Sequence, residues 1–248
     1  MTRLYEPQAL AIGSELTLGS RALRYLQTVL RAKIADSVTL FNAQGGEYQA
    51  SIIAISKKEV RVVISEFIDH DLESPLAIHL AQGLPKGDKL DFIVQKAVEL
   101  GVTMITPIIT ERTQGRLSKE QAQKKQERLT DIAIAAAEQC GRNRLPIINP
   151  MRTFQEWVTL SNEETHRYIL TPTTNKTVAF PPSKAPSSIC LMVGPEGGFT
   201  EEEVEFAIAG NCIPLTMGKR ILRTETASIA AISIMQTLFG DMMQLKQT

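Results

Sequence analysis

Two stretches near the C-terminus combine residue types that leave room for a ligand. Gly194-Pro195-Glu196-Gly197-Gly198-Phe199 follows the apolar run Cys190-Leu191-Met192-Val193 and leads into Thr200-Glu201-Glu202-Glu203. Met217-Gly218-Lys219-Arg220-Ile221-Leu222-Arg223 follows Ile213-Pro214-Leu215-Thr216 and leads through Thr224-Glu225-Thr226-Ala227 into the apolar segment 228–238. A strand that ends in glycines ahead of a helix start exposes backbone N–H groups with no Cβ to block close approach, and open α/β sheets place ligands there. The glutamates at 201–203 already compensate their helix dipole and would repel a phosphate, so the expected ligand is neutral or cationic. Neither G-x-G-x-x-G nor G-x-x-x-x-G-K-[ST] occurs, so dinucleotide and P-loop sites lack their motifs. Either loop alone reads equally well as a plain turn. Two of them, about 24 residues apart at consecutive strand ends, point to one shared pocket.

The rest of the chain must position these loops. Ser20 is expected to cap a helix to about Val29, with Leu23, Leu26, Val29 and Leu30 on one side. The runs 37–42, 47–56 and 59–67 read as strands, with Gly45 and Gly46 in a tight hairpin, and together predict a small β-barrel or sheet. The polar, proline-ended stretch 69–75 marks a boundary, giving an expected division into residues 1–72 and 73–248. Beyond it the period changes. A strand over 76–84 precedes a helix over 89–100, with Leu90, Ile93, Val94, Ala97 and Val98 on its buried stripe and Gly101 as its stop. A strand over 104–109 follows, then a long helix from the capping box Ser118-Lys119-Glu120-Gln121 to about Cys140. Strands at 167–170, 189–193 and 213–216, a loop over 181–188, and helices from Thr200 and near Glu225 complete an α/β domain with a largely parallel sheet.

Composition narrows the function classes. No run approaches the roughly 18 apolar residues of a membrane helix, and the N-terminal residues lack the apolar core of a signal peptide, so the chain is expected in the cytoplasm with no membrane partner. Cys140, Cys190 and Cys212 form no C-x-x-C pair and the histidines are scattered, which predicts neither a metal site nor a disulfide framework. The net charge is zero, so any affinity for nucleic acid must come from local clusters. Arg3, Arg21, Arg24, Arg31 and Lys33 outnumber Glu6 and Glu15 in the first of these. Arg112, Arg116, Lys119, Lys124, Lys125 and Arg128 outnumber Glu120 and Glu127 in the second. Each run also reads as an ordinary solvated face.

Over nearly its whole length the sequence resembles the RsmE family of 16S ribosomal RNA uridine N3-methyltransferases, within the SPOUT superfamily of knotted enzymes. The resemblance rests on Val29-Leu30-Arg31, Leu40-Phe41-Asn42 and Gly45-Gly46-Glu47-Tyr48, then on Gln82-Gly83-Leu84-Pro85-Lys86-Gly87-Asp88-Lys89 and Lys96-Ala97-Val98-Glu99-Leu100-Gly101-Val102. Glu138-Gln139-Cys140-Gly141-Arg142, Gly194-Pro195-Glu196-Gly197-Gly198 and Leu222-Arg223-Thr224-Glu225-Thr226-Ala227 complete it. The chain departs from the family at Ser20–Arg24, where members commonly have a histidine, and at Ala35, where they commonly have glycine.

The resemblance implies a PUA-like, RNA-binding β-barrel over 1–72 and a SPOUT α/β domain over 73–248 with a deep trefoil knot. It implies a homodimer, S-adenosylmethionine held in the knot, and a uridine of 16S rRNA in the small ribosomal subunit as the methyl acceptor. Gly194, Gly197 and Gly218 are then expected to let the backbone approach the cofactor, beside Pro195, Glu196 and Thr226. Leu215, Met217, Ile221 and Leu222 are expected to sandwich its adenine, with Thr171 and Pro172 as a third wall. Each apolar member also has a reading as ordinary core, since pocket and core use the same side chains. Arg223 is the expected catalytic group, stabilising charge on a uracil oxygen, against the alternative of an ion pair with Glu225 or Glu196. Arg3, Arg24, Arg31, Lys86, Lys89 and Arg142 are the expected RNA contacts. Two rival functions stay open: a knotted enzyme acting on transfer RNA or on a ribose 2′-hydroxyl, and an RNA-binding module without catalysis.

Overall fold

The computed structural model describes residues 2–115, 117–160, 166–172, 182 and 184–243. Arg116 of the second basic run, and Pro181 and Ser183 of the expected loop, lie outside the described residues. The chain packs as two compact units, one of residues up to Glu73 together with Ile134–Leu145, the other of Ser74–Ala133 together with the residues from Pro146 on. Residues 134–145, expected in the second unit, cluster with the first. The residues preceding them form one unbroken helix, and a helical pattern carries no mark where its packing partner changes.

The first unit holds β1 (Thr2–Tyr5), β2 (Glu15–Thr17), β3 (Ser37–Phe41), β4 (Glu47–Ile55) and β5 (Val60–Ile68) in one sheet of order β1-β3-β4-β5-β2. β1 runs parallel to β3, and every other pairing is antiparallel. Leu4, Leu18, Val38, Leu40, Ile52, Val62 and Ile64 form its core. The strands β1 and β2 carry too few residues to show an alternation. Helix α1 (Ser20–Arg24) is capped by Gly19, whose N–H donates to Glu6 Oε2 at 2.9 Å, so Ser20 is its first residue and not its cap. The chain continues as a π-helical turn, Tyr25–Val29, in which Leu30 N–H reaches Tyr25 O. The extra residue per turn rotates the expected stripe: Leu26 stays buried while Val29 is 64% and Leu30 40% exposed. Ala35 takes φ 74°, a left-handed conformation that glycine adopts without the Cβ penalty.

The second unit is built on a parallel sheet of order β12-β10-β11-β6-β7-β8, with β9 also on β7. Its elements are β6 (Ala77–Gly83), α2 (Lys89–Glu99), β7 (Met104–Ile109), α3 (Lys119–Cys140, as far as Ala133), β8 (Ile147–Ile148), β9 (Arg152–Thr153), α4 (Phe154–Thr159), β10 (His166–Leu170), β11 (Ser188–Val193), α5 (Glu201–Ala209), β12 (Ile213–Leu215) and α6 (Thr224–Phe239). All pairings in it are parallel. Runs such as Ile78-His79-Leu80-Ala81 and Ile189-Cys190-Leu191-Met192 are buried on both faces, as central parallel strands require. α2 turns Leu90, Ile93, Val94, Ala97 and Val98 inward and packs on α6. Thr153–Glu156 and Thr200–Glu203 form reciprocal capping boxes, and Ser118 with Gln121 does the same for α3. α4, β8 and β9 were not expected, because six residues and two residues are too few for a period to register.

Candidate functional site

The carboxyl ends of β10, β11 and β12 open on one cavity of about 330 Å³. β10 lies between the other two strands, so the end of β10 contributes to the same wall as the two glycine loops. Thr171, Pro172, Gly194, Pro195, Glu196, Gly197, Leu215, Met217, Gly218, Ile221 and Leu222, all expected at the site, line it together.

The first loop is fixed by close packing. A Cβ on Gly83, at the end of β6, would sit 2.6 Å from Pro195 Cδ and 2.7 Å from Pro195 N, so only glycine lets the two backbones meet. Gly198 takes φ +68° and its N–H closes a turn onto Pro195 O at 2.9 Å. Thr224 Oγ1 donates to Gly194 O at 2.6 Å and accepts from Gln82 Nε2 at 3.0 Å. Ser228 Oγ in turn donates to Gln82 Oε1 at 2.6 Å, so a fully buried glutamine on β6 ties the loop to the first turns of α6. Glu196 is held from two sides, by Lys89 Nζ at 2.6 Å and by Lys86 N–H at 3.2 Å. Burial pushes its carboxyl up, but the Lys89 ammonium and the backbone N–H groups outweigh that and hold it below the usual carboxylate range.

The second loop is open. Gly218 takes φ +72°, a Cβ there would meet nothing within 4 Å, and Ile221 at the cavity wall is 88% exposed. Thr171 is buried, and its Oγ1 has no hydrogen-bond partner among the described residues. A buried hydroxyl on a cavity wall with no protein partner is a ready contact for a polar ligand atom.

Two expected site residues stand elsewhere. Thr226 is exposed and off the cavity wall, because the helical period puts Thr224, Ala227 and Ser228 on one side of α6 and turns residue 226 away. Arg223 is the cap residue of α6, exposed, next to the wall residues Leu222 and Thr224 without lining the cavity. Among the described residues it pairs with neither Glu225 nor Glu196. Leu170, Val193, Gly198, Arg220, Thr224 and Ala227 also line the cavity and were missed as site residues. Gln82, a polar residue beside a glycine in a largely apolar run, was a signal that the strand end carries polar bonds, without naming their partners.

The expected RNA contacts divide. Arg142 is 5% exposed and donates from Nε to Glu73 Oε1 at 2.9 Å. Arg3 donates to Ala137 O and Arg142 O at 2.9 and 2.8 Å, pairs with Glu47, and stacks over the Phe41 ring. Both guanidiniums bond to partners inside the first unit and are turned away from solvent, which removes them as phosphate contacts. Lys89 is occupied by Glu196, whereas Arg24, Arg31 and Lys86 are exposed. Arg24 lies with Tyr25, Val29 and Leu30 on a groove of about 870 Å³ in the first unit.

The sequence matches the RNA methyltransferase domain family over residues 72–236 and the RNA methyltransferase PUA domain family over 18–65. It is 37% identical to ribosomal RNA small subunit methyltransferase E of Buchnera aphidicola from Acyrthosiphon pisum, over 96% of this chain and 94% of that one. Among solved structures, a ribosomal RNA small subunit methyltransferase E from Neisseria gonorrhoeae bound to S-adenosylmethionine superposes with a TM-score of 0.89, at 39% identity, covering 98% of this chain and 100% of the other. A Legionella pneumophila methyltransferase in complex with the same cofactor superposes with a TM-score of 0.92, at 40% identity over 97% and 99%.

Proposed function

This chain belongs to the ribosomal RNA small subunit methyltransferase E family, and on that premise we propose that it transfers the methyl group of S-adenosylmethionine to N3 of a uridine in 16S ribosomal RNA. The observation that carries the reading is the cavity where two glycine loops and the end of β10 meet. Its features fit the cofactor. Leu215, Met217, Ile221 and Leu222 offer apolar walls to an adenine, the glycines admit the backbone, and Thr171 Oγ1 is a buried polar atom awaiting a partner. Arg220 on the same wall offers a positive charge to the cofactor's carboxylate.

The bound cofactor supplies an electrophilic methyl group on sulfur. Nothing covalent is asked of the protein, so positioning and fixed charge provide most of the rate. Arg223, exposed at the start of α6 between the wall residues Leu222 and Thr224, is read as the group that stabilises negative charge on a uracil carbonyl oxygen as N3 loses its proton to solvent. The uracil N3 edge is hidden in a base pair, so the target is an unpaired or extruded nucleotide. Arg24 and Arg31, exposed on the first unit, are retained as RNA contacts.

The family's finer features belong to the same reading. Residues 216–223 join β12, paired with β10 at one sheet edge, to α6, which packs against α2, β11 and β6 two and three strands away, and this connection supports the reading of a trefoil knot. The α2 and α6 residues Phe92, Ile234 and Leu238 stay exposed, an apolar face suited to a homodimer. The enzyme works on the small ribosomal subunit in the cytoplasm; no described helix is long and apolar enough to cross a membrane.

Incubation of small ribosomal subunits with methyl-labelled S-adenosylmethionine, followed by nucleoside mass spectrometry of their 16S RNA, is expected to put the label in N3-methyluridine. Label in a ribose 2′-O-methyl, or in transfer RNA alone, would overturn the substrate. Arg223→Ala is expected to lower kcat by about 100- to 1000-fold with cofactor Kd within about threefold of wild type.

A further inference from the structure

A second groove, of about 780 Å³, adjoins the cofactor cavity and shares Glu196 and Gly197 with it. All its walls belong to the second unit. Leu84, Pro85 and Leu117 supply apolar surface, and Lys86, Arg112 and Lys125 supply cations. The wall carboxylates are Glu111 and Glu196, and Glu196 is already compensated by Lys89. On α2 and α3, Arg128 bonds to Asp91, Lys96 to Glu99 and Lys89 to Glu196, while Lys119 and Lys124 take part in no ion pair among the described residues. Among the described residues, Lys86 and Lys125 take part in no ion pair. With Glu196 paired to Lys89, the three wall cations face Glu111 as the remaining wall carboxylate, so the groove stays net positive.

Arg112 is placed by a fixed turn. Thr110 N–H donates to Thr113 Oγ1 at 2.9 Å, Thr113 N–H returns to Thr110 O at 3.1 Å, and Glu111 N–H is held by Glu203 Oε1 at 2.8 Å. From that turn Arg112 Nη1 donates to Gly197 O at 2.5 Å, in the loop both cavities share. This uses one of the five N–H donors of the guanidinium. Arg112 also lends charge to the first turn of α5, behind the backbone and Thr200 bonds that hold Glu202 ionised.

Apolar floor, cationic rim and a common wall with the methyl-donor cavity are what a polynucleotide flanking a target base needs: surface for sugars and bases, charges for phosphates. Resting on the methyltransferase reading above, we propose that this groove holds the sugar-phosphate backbone of the RNA next to the target nucleotide. Lys86 and Lys125 are its phosphate contacts, and Arg112 is a positioning residue that joins the RNA groove to the cofactor loop. The groove is an RNA site of the catalytic unit itself, separate from the arginines of the first unit.

The test is equilibrium binding of 16S RNA transcribed in vitro to the full chain carrying both Lys86→Ala and Lys125→Ala. The side chains of both residues lack hydrogen-bond partners among the described residues, so the fold is expected to persist. At moderate salt the RNA Kd is expected to rise about 10-fold or more, and the slope of log Kd against log salt to fall by roughly one to two. The Kd for S-adenosylmethionine, from calorimetry on the same protein, is expected to stay within about twofold. Arg112→Lys keeps the charge and loses the fork, so it is expected to raise the cofactor Kd several-fold as well as the RNA Kd. Unchanged RNA affinity and salt slope in the double variant would overturn the groove assignment while leaving the methyltransferase reading intact. Failure of the wild type to bind S-adenosylmethionine would sink the methyltransferase reading instead, and the groove would still stand or fall on the RNA measurement.

Discussion

The two glycine loops look alike in sequence and differ in how the fold holds them. Residues 194–198 are gripped throughout: Pro195 against Gly83, Gly194 O by Thr224, Glu196 by Lys86 and Lys89, and Gly197 O by Arg112. Residues 217–223 are held at their ends, by β12 and by the start of α6, with Gly218 in open space and Ile221 and Arg223 exposed. A site made of one rigid and one open wall separates two tasks. The rigid wall defines the shape a ligand must have, and the open wall presents side chains that settle around it.

The largest test of the contrast is Gly83→Ala. Its new Cβ meets the backbone of Pro195, so the first loop must shift; a loss of about 2–3 kcal/mol, a Tm drop of about 5–10 °C and cofactor affinity weakened more than about 10-fold are expected. Near-wild-type melting and calorimetry for that variant would mean the first loop is not rigid. Next, Thr224→Val strips the hydroxyl that serves both Gly194 O and Gln82 Nε2, leaving two buried groups short of a partner; about 1–3 kcal/mol and a roughly 10-fold weaker cofactor Kd should appear. On the open side, Gly218→Ala strains only its own φ, by about 1 kcal/mol, and a Kd change of a few-fold at most is expected. An effect as large as that at Gly83 would show that the second loop is tightly packed when liganded.

The smallest effect is electrostatic. The folded Glu196 carboxyl lies below its ordinary value of 4.5, so the bonds to Lys89 and Lys86 N–H stabilise the protein above that pH and their contribution is lost as pH falls through the folded value. Glu196 is partly exposed, which limits the contribution to about 0–1 kcal/mol. The Tm difference between wild type and Glu196→Gln should therefore be a few degrees at pH 7 and vanish toward pH 3. A difference that grows on acidification would contradict the assigned direction.

Much of this was legible in residue order. Long elements such as α2 and β11 announce themselves by the period of Leu90, Ile93, Val94 and Ala97 or by an unbroken apolar run. The cap at Thr200 and the stop at Gly101 follow from local hydrogen bonding and a positive φ, which depend on few neighbours. The glycine loops could be recognised as a ligand edge for the same reason. Burial is different, since it depends on what packs alongside. Arg3 and Arg142 look like surface cations in sequence and are interior donors in the fold, because Glu47, Glu73 and backbone oxygens far along the chain converge on them. The π-helical turn at Tyr25–Val29 rotates an apolar stripe away from where simple periodicity puts it. Likewise, nothing in the local sequence shows that Gln82 would bond to Thr224 and Ser228, or that Arg112 would reach Gly197. Sequence alone determined the longer helices and strands and the two glycine loops of the second unit, because their periods, caps and glycines depend on neighbours within a turn or two. Tertiary structure alone decided which charges are spent, which glycine has no room for a Cβ, and which loop is rigid, because each is set by a partner distant in the chain.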